Sequence, residues 1–184
     1  MYKICQTDQS FQRQRAMENG LLQLLEKRRY EDISISELCD HLQIPRKAFY
    51  RYFSGKDGAL YALLDHTMMD FYMGDYHGGS SAAPVDLEQY FLFWYEHRAL
   101  LGALVRSGLS GILVERATSF ALQERMIPRH MLNWDSDFQE IALSFAICGL
   151  MSMVLQWNNQ GFQKTPKEMT KIAITMLTQP LLPT

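Results

Sequence analysis

The chain has 184 residues, 47% of them hydrophobic, and a formal net charge of -2. Three cysteines without a C-x-x-C pair indicate neither a disulfide framework nor a zinc site. The N-terminus lacks a signal-peptide pattern and no uninterrupted apolar run is long enough to span a bilayer, so a cytoplasmic protein is expected.

The first clear element lies after Tyr30. Ser34 is a good N-cap and Glu37 follows three residues later, the spacing of a reciprocal capping box. Ile35, Leu38, Cys39 and Leu42 then recur at helical spacing and make one apolar face. Pro45 removes a backbone donor and biases Ile44 away from helix, yet is acceptable as the first residue of a new one. That helix is predicted from Arg46 to about Phe53, burying Ala48, Phe49, Tyr52 and Phe53 to differing degrees. Ser54-Gly55 breaks the run. A longer helix then starts at Lys56-Asp57 and passes through Leu60, Leu63, Leu64, Thr67, Met68 and Phe71 to end near Tyr72–Tyr76.

Gly74 to Pro84 reads as a flexible loop from its Gly, Ser and Pro content. Helices are predicted over Val85–His97, Arg98–Ser107 and Ile112–Met126, and a long one over Ser136–Gln160. The long helix is apolar on more than one side, so it must face both its own core and something else. A last helix opens with Thr165 as cap and Pro166 in first position, and Met169, Ile172, Ala173, Met176 and Leu177 form its stripe. Alternating strand patterns and hairpin turns are scarce, so the fold class is all-α.

Two short helices around a tight turn, the second carrying Arg46, Lys47, Tyr50 and Arg51, are what a helix-turn-helix presents to the major groove. The charge distribution agrees. Residues 1–60 carry 10 Lys and Arg against 8 Asp and Glu, whereas residues 61–184 carry 8 against 12, so the basic excess sits in the first part. Its cations cluster at Arg13/Arg15 and at Arg46/Lys47/Arg51/Lys56.

With those residues in view, the segment resembles the DNA-binding domain of the TetR/AcrR family of regulators. Tyr30, Ser34, Ile44, Phe49, Tyr50, Tyr52, Phe53, Lys56 and Leu60 match or approximate the family pattern. The string Phe49-Tyr50-Arg51-Tyr52-Phe53 followed by Lys56-Asp57 is its specific part, and the likeness extends upstream through Met17, Leu21, Leu24 and Leu25. Gly149, Trp157, Gly161, Pro166 and Met169 are similar to the family's ending, in which the last two helices make a dimer interface. The resemblance implies a three-helix helix-turn-helix domain over 1–55 and a larger helical ligand-binding and dimerisation domain over 56–184. It also implies Tyr50 and Lys56 as phosphate anchors, Ser34 offering a helix N-terminus to a phosphate, and Arg46, Lys47 and Arg51 as readers of bases.

The sequence departs from the pattern at four places. Arg29 stands where a helix-terminating Gly is usual and Gln43 replaces the turn Gly. Pro45 replaces a capping Ser or Thr. Lys47 replaces a Gly that lets the backbone approach DNA, so the operator sequence cannot be borrowed from relatives.

The middle of the chain is the expected effector compartment. Met68, Phe71, Tyr72, Phe91, Trp94, Tyr95, Trp134 and Phe145, with Met131 and Met151, are large adaptable side chains. Each alone is as well explained as ordinary core; their accumulation points to a cavity. Asp65, His66 and Asp70, with Asp75 and His77 beyond, have a spacing that suits a metal but also describes a solvated helix face. Cys39 and Cys148 read as small buried hydrophobes and Cys5 as part of a mobile tail. No hydrolase, zinc-protease, nucleotide or dinucleotide motif is present, and neither an enzyme nor a cofactor is expected. The expected function is a ligand-responsive regulator, a repressor, that binds a pseudo-palindromic operator as a homodimer and is released by a small molecule. The alternative is a helical module of the same fold that binds a protein or small molecule without reading DNA.

Overall fold

The computed structural model describes residues 1–73, 86–124, 127 and 131–179. These form nine α-helices and no strand beyond a single antiparallel bridge between Tyr2 and Phe53. In chain order they are α1 (Asp8–Leu25), α2 (Ile35–His41), α3 (Arg46–Phe49), α4 (Lys56–Met73), α5 (Leu87–Glu96), α6 (Arg98–Arg106), α7 (Ser110–Gln123), α8 (Ser136–Asn159) and α9 (Pro166–Thr178). A single 3₁₀ turn, Tyr30–Asp32, joins α1 to α2. The all-α expectation holds.

The helix-turn-helix forms one end of a continuous hydrophobic core. Met17, Leu21 and Leu25 of α1 share it with Leu38 and Cys39 of α2 and with Phe49 and Phe53, all of them buried. Each large apolar side chain so buried contributes about 1.5–3 kcal/mol. α4, about 27 Å long at the usual helical rise, packs against α1 on one side and α7 on the other. The body pairs α5 with α9 and α7 with α8, while α6 lies against both α1 and α8.

Several boundaries differ from the sequence reading for local reasons. Asp86 accepts the backbone N–H of Glu88 at 2.9 Å, so α5 starts at Leu87 rather than Val85. α7 begins at Ser110, ahead of Ile112. Arg29 has φ −73 and ψ 149, so it is extended and carries no left-handed strain; α1 has already ended at Leu25. The loop over 74–84, with Asp75 and His77, lies outside the described residues.

Three environments add to the sequence reading. Cys148 is exposed on α8, with its sulfur 3.7 Å from the Thr118 hydroxyl of α7. The N-terminal segment is tied down: Lys3 N donates to the Tyr52 carbonyl at 2.9 Å, and the Cys5 thiol donates to Gln14 Oε1 at 2.9 Å. α8 is, by length and composition, apolar enough to cross a bilayer. Only 17% of its most apolar stretch is buried, although Met151, Val154 and Trp157 anchor it in the helical body.

Candidate nucleic-acid interface

Ser34 Oγ accepts the Glu37 backbone N–H at 3.1 Å, as a cap should. The reciprocal half of the box is not made, because the Glu37 carboxylate pairs with Arg28 instead. α2 then closes with the N–H of Ile44 on the Cys39 carbonyl at 3.0 Å and that of Gln43 on Asp40 at 3.1 Å. This is the double bond of a Schellman stop, and it requires a left-handed residue at Gln43, whose φ is 54. The non-glycine at this turn is therefore held in the conformation that favours glycine.

Pro45 precedes the recognition helix rather than opening it. It is extended, with φ −69 and ψ 144, and offers no side-chain cap. α3 is also shorter than expected. After Phe49 the chain continues in tighter turns, with Arg51 N on the Ala48 carbonyl at 3.3 Å and Tyr52 N on Phe49 at 3.0 Å. Phe49 and Phe53 point into the core, and Arg46, Lys47, Tyr50 and Arg51 are exposed together on the other side. Arg46 Nη2 lies 3.4 Å from the Tyr50 hydroxyl.

One cation beyond the expected set joins this side. Arg13 of α1 and Arg51 both line a groove of about 340 Å³ whose other walls include Met17, Leu42, Ile44 and Ala48. The sequence showed Arg13 only as one of a basic pair. Its neighbour Arg15 is occupied elsewhere, bonded to Glu18 at 3.2 Å and to Asp70. Helical spacing separates the two by enough to send them to different surfaces.

Lys56 is not a free cation. Its Nζ donates to the carbonyls of Tyr30 and Ile33, both at 2.6 Å, and lies 4.2 Å from the centre of the Tyr30 ring. The Tyr30 hydroxyl in turn donates to Asp57 at 2.5 Å, and burial with this bond holds the phenol above its ordinary pKa. Lys56 and Tyr30 thus fasten the start of α4 to the turn before α2.

Among the described residues, polar contacts tie the head to α6 and α4, and α4 to α7. On the α6 side, the Tyr30 N–H donates to Ser107 Oγ at 3.0 Å and Arg106 Nη2 to the Glu26 carbonyl at 3.2 Å. On the α7 side, Arg116 Nε donates to Asp65 of α4 at 2.8 Å. His66 Nδ1 is 2.9 Å from the buried Glu18 of α1, and Asp70 pairs with Arg15. The three polar residues that suggested a metal therefore diverge to three different partners. Among the described residues no group of three or more His, Cys, Asp or Glu side chains could hold a metal ion.

Most of the expected effector residues pack in or against the helical core. Phe71 packs on Tyr90 and Phe93 at ring separations of 5.8 and 5.1 Å, with Met68 and Trp94 buried in the same core. Tyr72 stacks on Phe120, and burial pushes its phenol up to about 12. Phe91 and Tyr95 both meet Trp157, Tyr95 in a stacked arrangement at 5.8 Å. Trp134 and Phe145 stand apart from the rest: both are on the surface, Phe145 at 75% exposure. Neither is enclosed by the described residues, so neither lines an internal compartment of this chain, Phe145 because α8 turns it outward.

Residues 86–179, just over half of the chain, match a TetR-type family model described as "Transcriptional regulator C-terminal region". The chain belongs to the TetR family of transcriptional regulators. Solved structures of the same fold accompany that match. A TetR-family transcriptional regulator from Streptomyces coelicolor is 23% identical with a TM-score of 0.57, covering 87% of this chain and 78% of that one. The dihydroxyacetone kinase operon activator DhaS is 14% identical with a TM-score of 0.58, covering 89% and 93%. The TetR family repressor AlkX from Dietzia sp. strain DQ12-45-1b, implicated in biodegradation of n-alkanes, is 18% identical with a TM-score of 0.54, covering 89% and 92%. A comparison with curated protein sequences returns no match. In this TetR-family regulator the helix-turn-helix of α2 and α3 precedes the matched region of the helical body.

Proposed function

We propose that this regulator binds a pseudo-palindromic operator as a homodimer and is released as a repressor when a small molecule occupies its body. The observation that carries the reading is the exposed row Arg46, Lys47, Tyr50 and Arg51 on a recognition helix whose opposite side is locked in the core. In it, Lys47, Arg46 and Arg51 read base edges, while Tyr50 and the α2 N-terminus at Ser34 contact phosphates. Lys56 is given a different part from a direct anchor. Bound to two carbonyls, it holds the start of α4 against the turn before α2.

Dimerisation is assigned to α8 and α9. Phe138, Ile141 and Phe145 of α8 and Ile174 and Leu177 of α9 are all about half exposed or more, a larger apolar surface than a monomer comfortably shows. Gly149 lies in the middle of α8, and among the described residues nothing beyond its chain neighbours and its own helix's backbone lies within 4 Å of where its Cβ would be. A glycine inside a helix costs about 0.8–1 kcal/mol relative to alanine. Close approach of a second copy's helix at this point gives that glycine a use.

The effector is assigned to the neighbourhood of Met68, Phe71, Tyr72, Phe91, Trp94 and Tyr95, core side chains whose aromatic and thioether character suits an apolar molecule oriented by one polar end. A ligand preferring a head spacing that misfits the operator lowers DNA affinity by its differential affinity for the two states. The division is then 1–55 for reading DNA and 56–184 for ligand and partner, with α4 transmitting between them, in the cytoplasm.

The test is a titration of the purified chain against random and selected duplex DNA at two salt concentrations. Salt-sensitive binding with enrichment of a two-fold symmetric site is the expected result. A folded dimer that binds no duplex at low salt would sink the reading.

A further inference from the structure

The recognition element has little of its own to hold it in place. α3 is four residues long, Pro45 gives it no side-chain cap, and helices this short are not stable alone. Its far corner, Tyr52 to Ser54, is gripped by the N-terminal segment. Lys3 N donates to the Tyr52 carbonyl at 2.9 Å, Tyr2 pairs with Phe53 in an antiparallel bridge, and Ser54 donates to the Met1 carbonyl from both N at 3.1 Å and Oγ at 2.7 Å.

We propose that residues 1–5 form a clamp that orients the recognition element, with Tyr2 the positioning residue that ties this clamp to the body. Two otherwise awkward residues support it. Gln14 is buried on α1, and its amide is spent on the segment: Nε2 donates to the Lys3 carbonyl at 3.2 Å and Oε1 accepts the Cys5 thiol. Gly58, in the first turn of α4, is where a Cβ would collide with the Met1 carbonyl oxygen. Both choices make sense only if the segment is seated.

Tyr2 extends the grip. Its hydroxyl donates to Asp65 Oδ2 at 2.7 Å, the same carboxylate that Arg116 of α7 holds. Its ring also lies edge-on to His66, at 5.7 Å, over the buried pair with Glu18. The corner that follows Tyr50 and Arg51 is thereby connected to α7 by a route separate from the backbone of α4.

The inference rests on the DNA-binding reading, so its test carries a readout that needs no DNA. In the full chain, amide exchange is measured at Ser54, Tyr52 and Phe53 for the parent, Gly58→Ala, Lys3→Pro, their double variant and Tyr2→Phe. Operator and random-duplex affinities and the thermal midpoint are measured alongside. The Ser54 amide should be protected in the parent. Gly58→Ala should expose it together with Tyr52 and Phe53, and should raise the operator Kd about tenfold with random-duplex affinity and midpoint little changed. The double variant should be no worse than either single one, since both release the same segment. Tyr2→Phe should give a smaller operator loss with Ser54 still protected.

An unprotected Ser54 in the parent would overturn the clamp. So would a Gly58→Ala chain that frees Ser54 while leaving Tyr52, Phe53 and the operator-to-random ratio unchanged. Equal loss of all DNA binding with a fallen midpoint would mean general destabilisation and also overturn it. A parent that binds no DNA would defeat the functional reading, with the exchange at Tyr52 and Phe53 still deciding the clamp.

Discussion

Two lysines nine residues apart have different surroundings and so different expected mutants. Lys47 is exposed on the recognition helix, whereas Lys56 is half-buried and bonded to two carbonyls. Lys56→Met keeps the aliphatic stem but leaves both carbonyls without their donor, at a cost of about 1–3 kcal/mol. Its thermal midpoint should fall, and binding to all DNA sequences should weaken alike. Lys47→Ala should leave the midpoint unchanged and alter which operator is preferred, as a selection from random duplexes would read. Gln43 offers the opposite sign. At φ 54 it bears the left-handed penalty of about 1–2 kcal/mol, part of which Gln43→Gly returns in unfolded-chain entropy. A net gain of about 0.5–1 kcal/mol should raise the midpoint by about 1–4 °C.

At the scale of the helix, α9 is fixed at its start by a complete capping box. Thr165 Oγ1 accepts the Glu168 N–H at 3.3 Å, and the Glu168 carboxylate accepts the Thr165 N–H at 2.7 Å and its hydroxyl at 2.8 Å. These bonds, the backbone one first, hold the Glu168 carboxyl below its ordinary value of 4.5. Because the folded state takes up this proton less readily than the unfolded one, the stabilisation is complete above pH 4.5 and disappears as pH falls through the lowered value. The stability gap between the parent and Glu168→Ala should therefore be constant near neutrality and narrow in acid, as urea titrations at a series of pH values would show. A gap independent of pH would assign the stabilisation to something other than the carboxylate. This element was legible in the sequence because Thr165, Pro166 and Glu168 are neighbours. The recognition helix was less so: its early end at Phe49 reflects a corner held by Lys3 and Met1, far away in sequence.

Across the whole molecule the open question is what covers α8. Phe145→Asp places a charge at the centre of the exposed stripe without touching the chain's own core, where Met151, Val154 and Trp157 lie on the other side. The variant should remain helical, sediment as a monomer and lose operator affinity by about tenfold or more, because each head then binds its half-site alone. A dimer that survives Phe145→Asp would move the interface away from α8.

The amino-acid sequence by itself determined the all-α class, the helix-turn-helix and the capped starts of α2 and α9. These depend on periodicity and on residues a few positions apart, which local backbone chemistry reads directly. Tertiary structure alone decided which polar groups were free. Arg15 and Arg13 look alike in the sequence, yet one is bonded to Glu18 and Asp70 and the other lines the groove that Arg51 also lines. Asp65, His66 and Asp70 resemble one cluster and separate into three contacts; Phe145 resembles core and faces outward. The physical reason is common to all of them. A side chain's role depends on what another segment brings within hydrogen-bond or van der Waals reach, and partners 48 to 63 residues distant leave no local trace in the sequence.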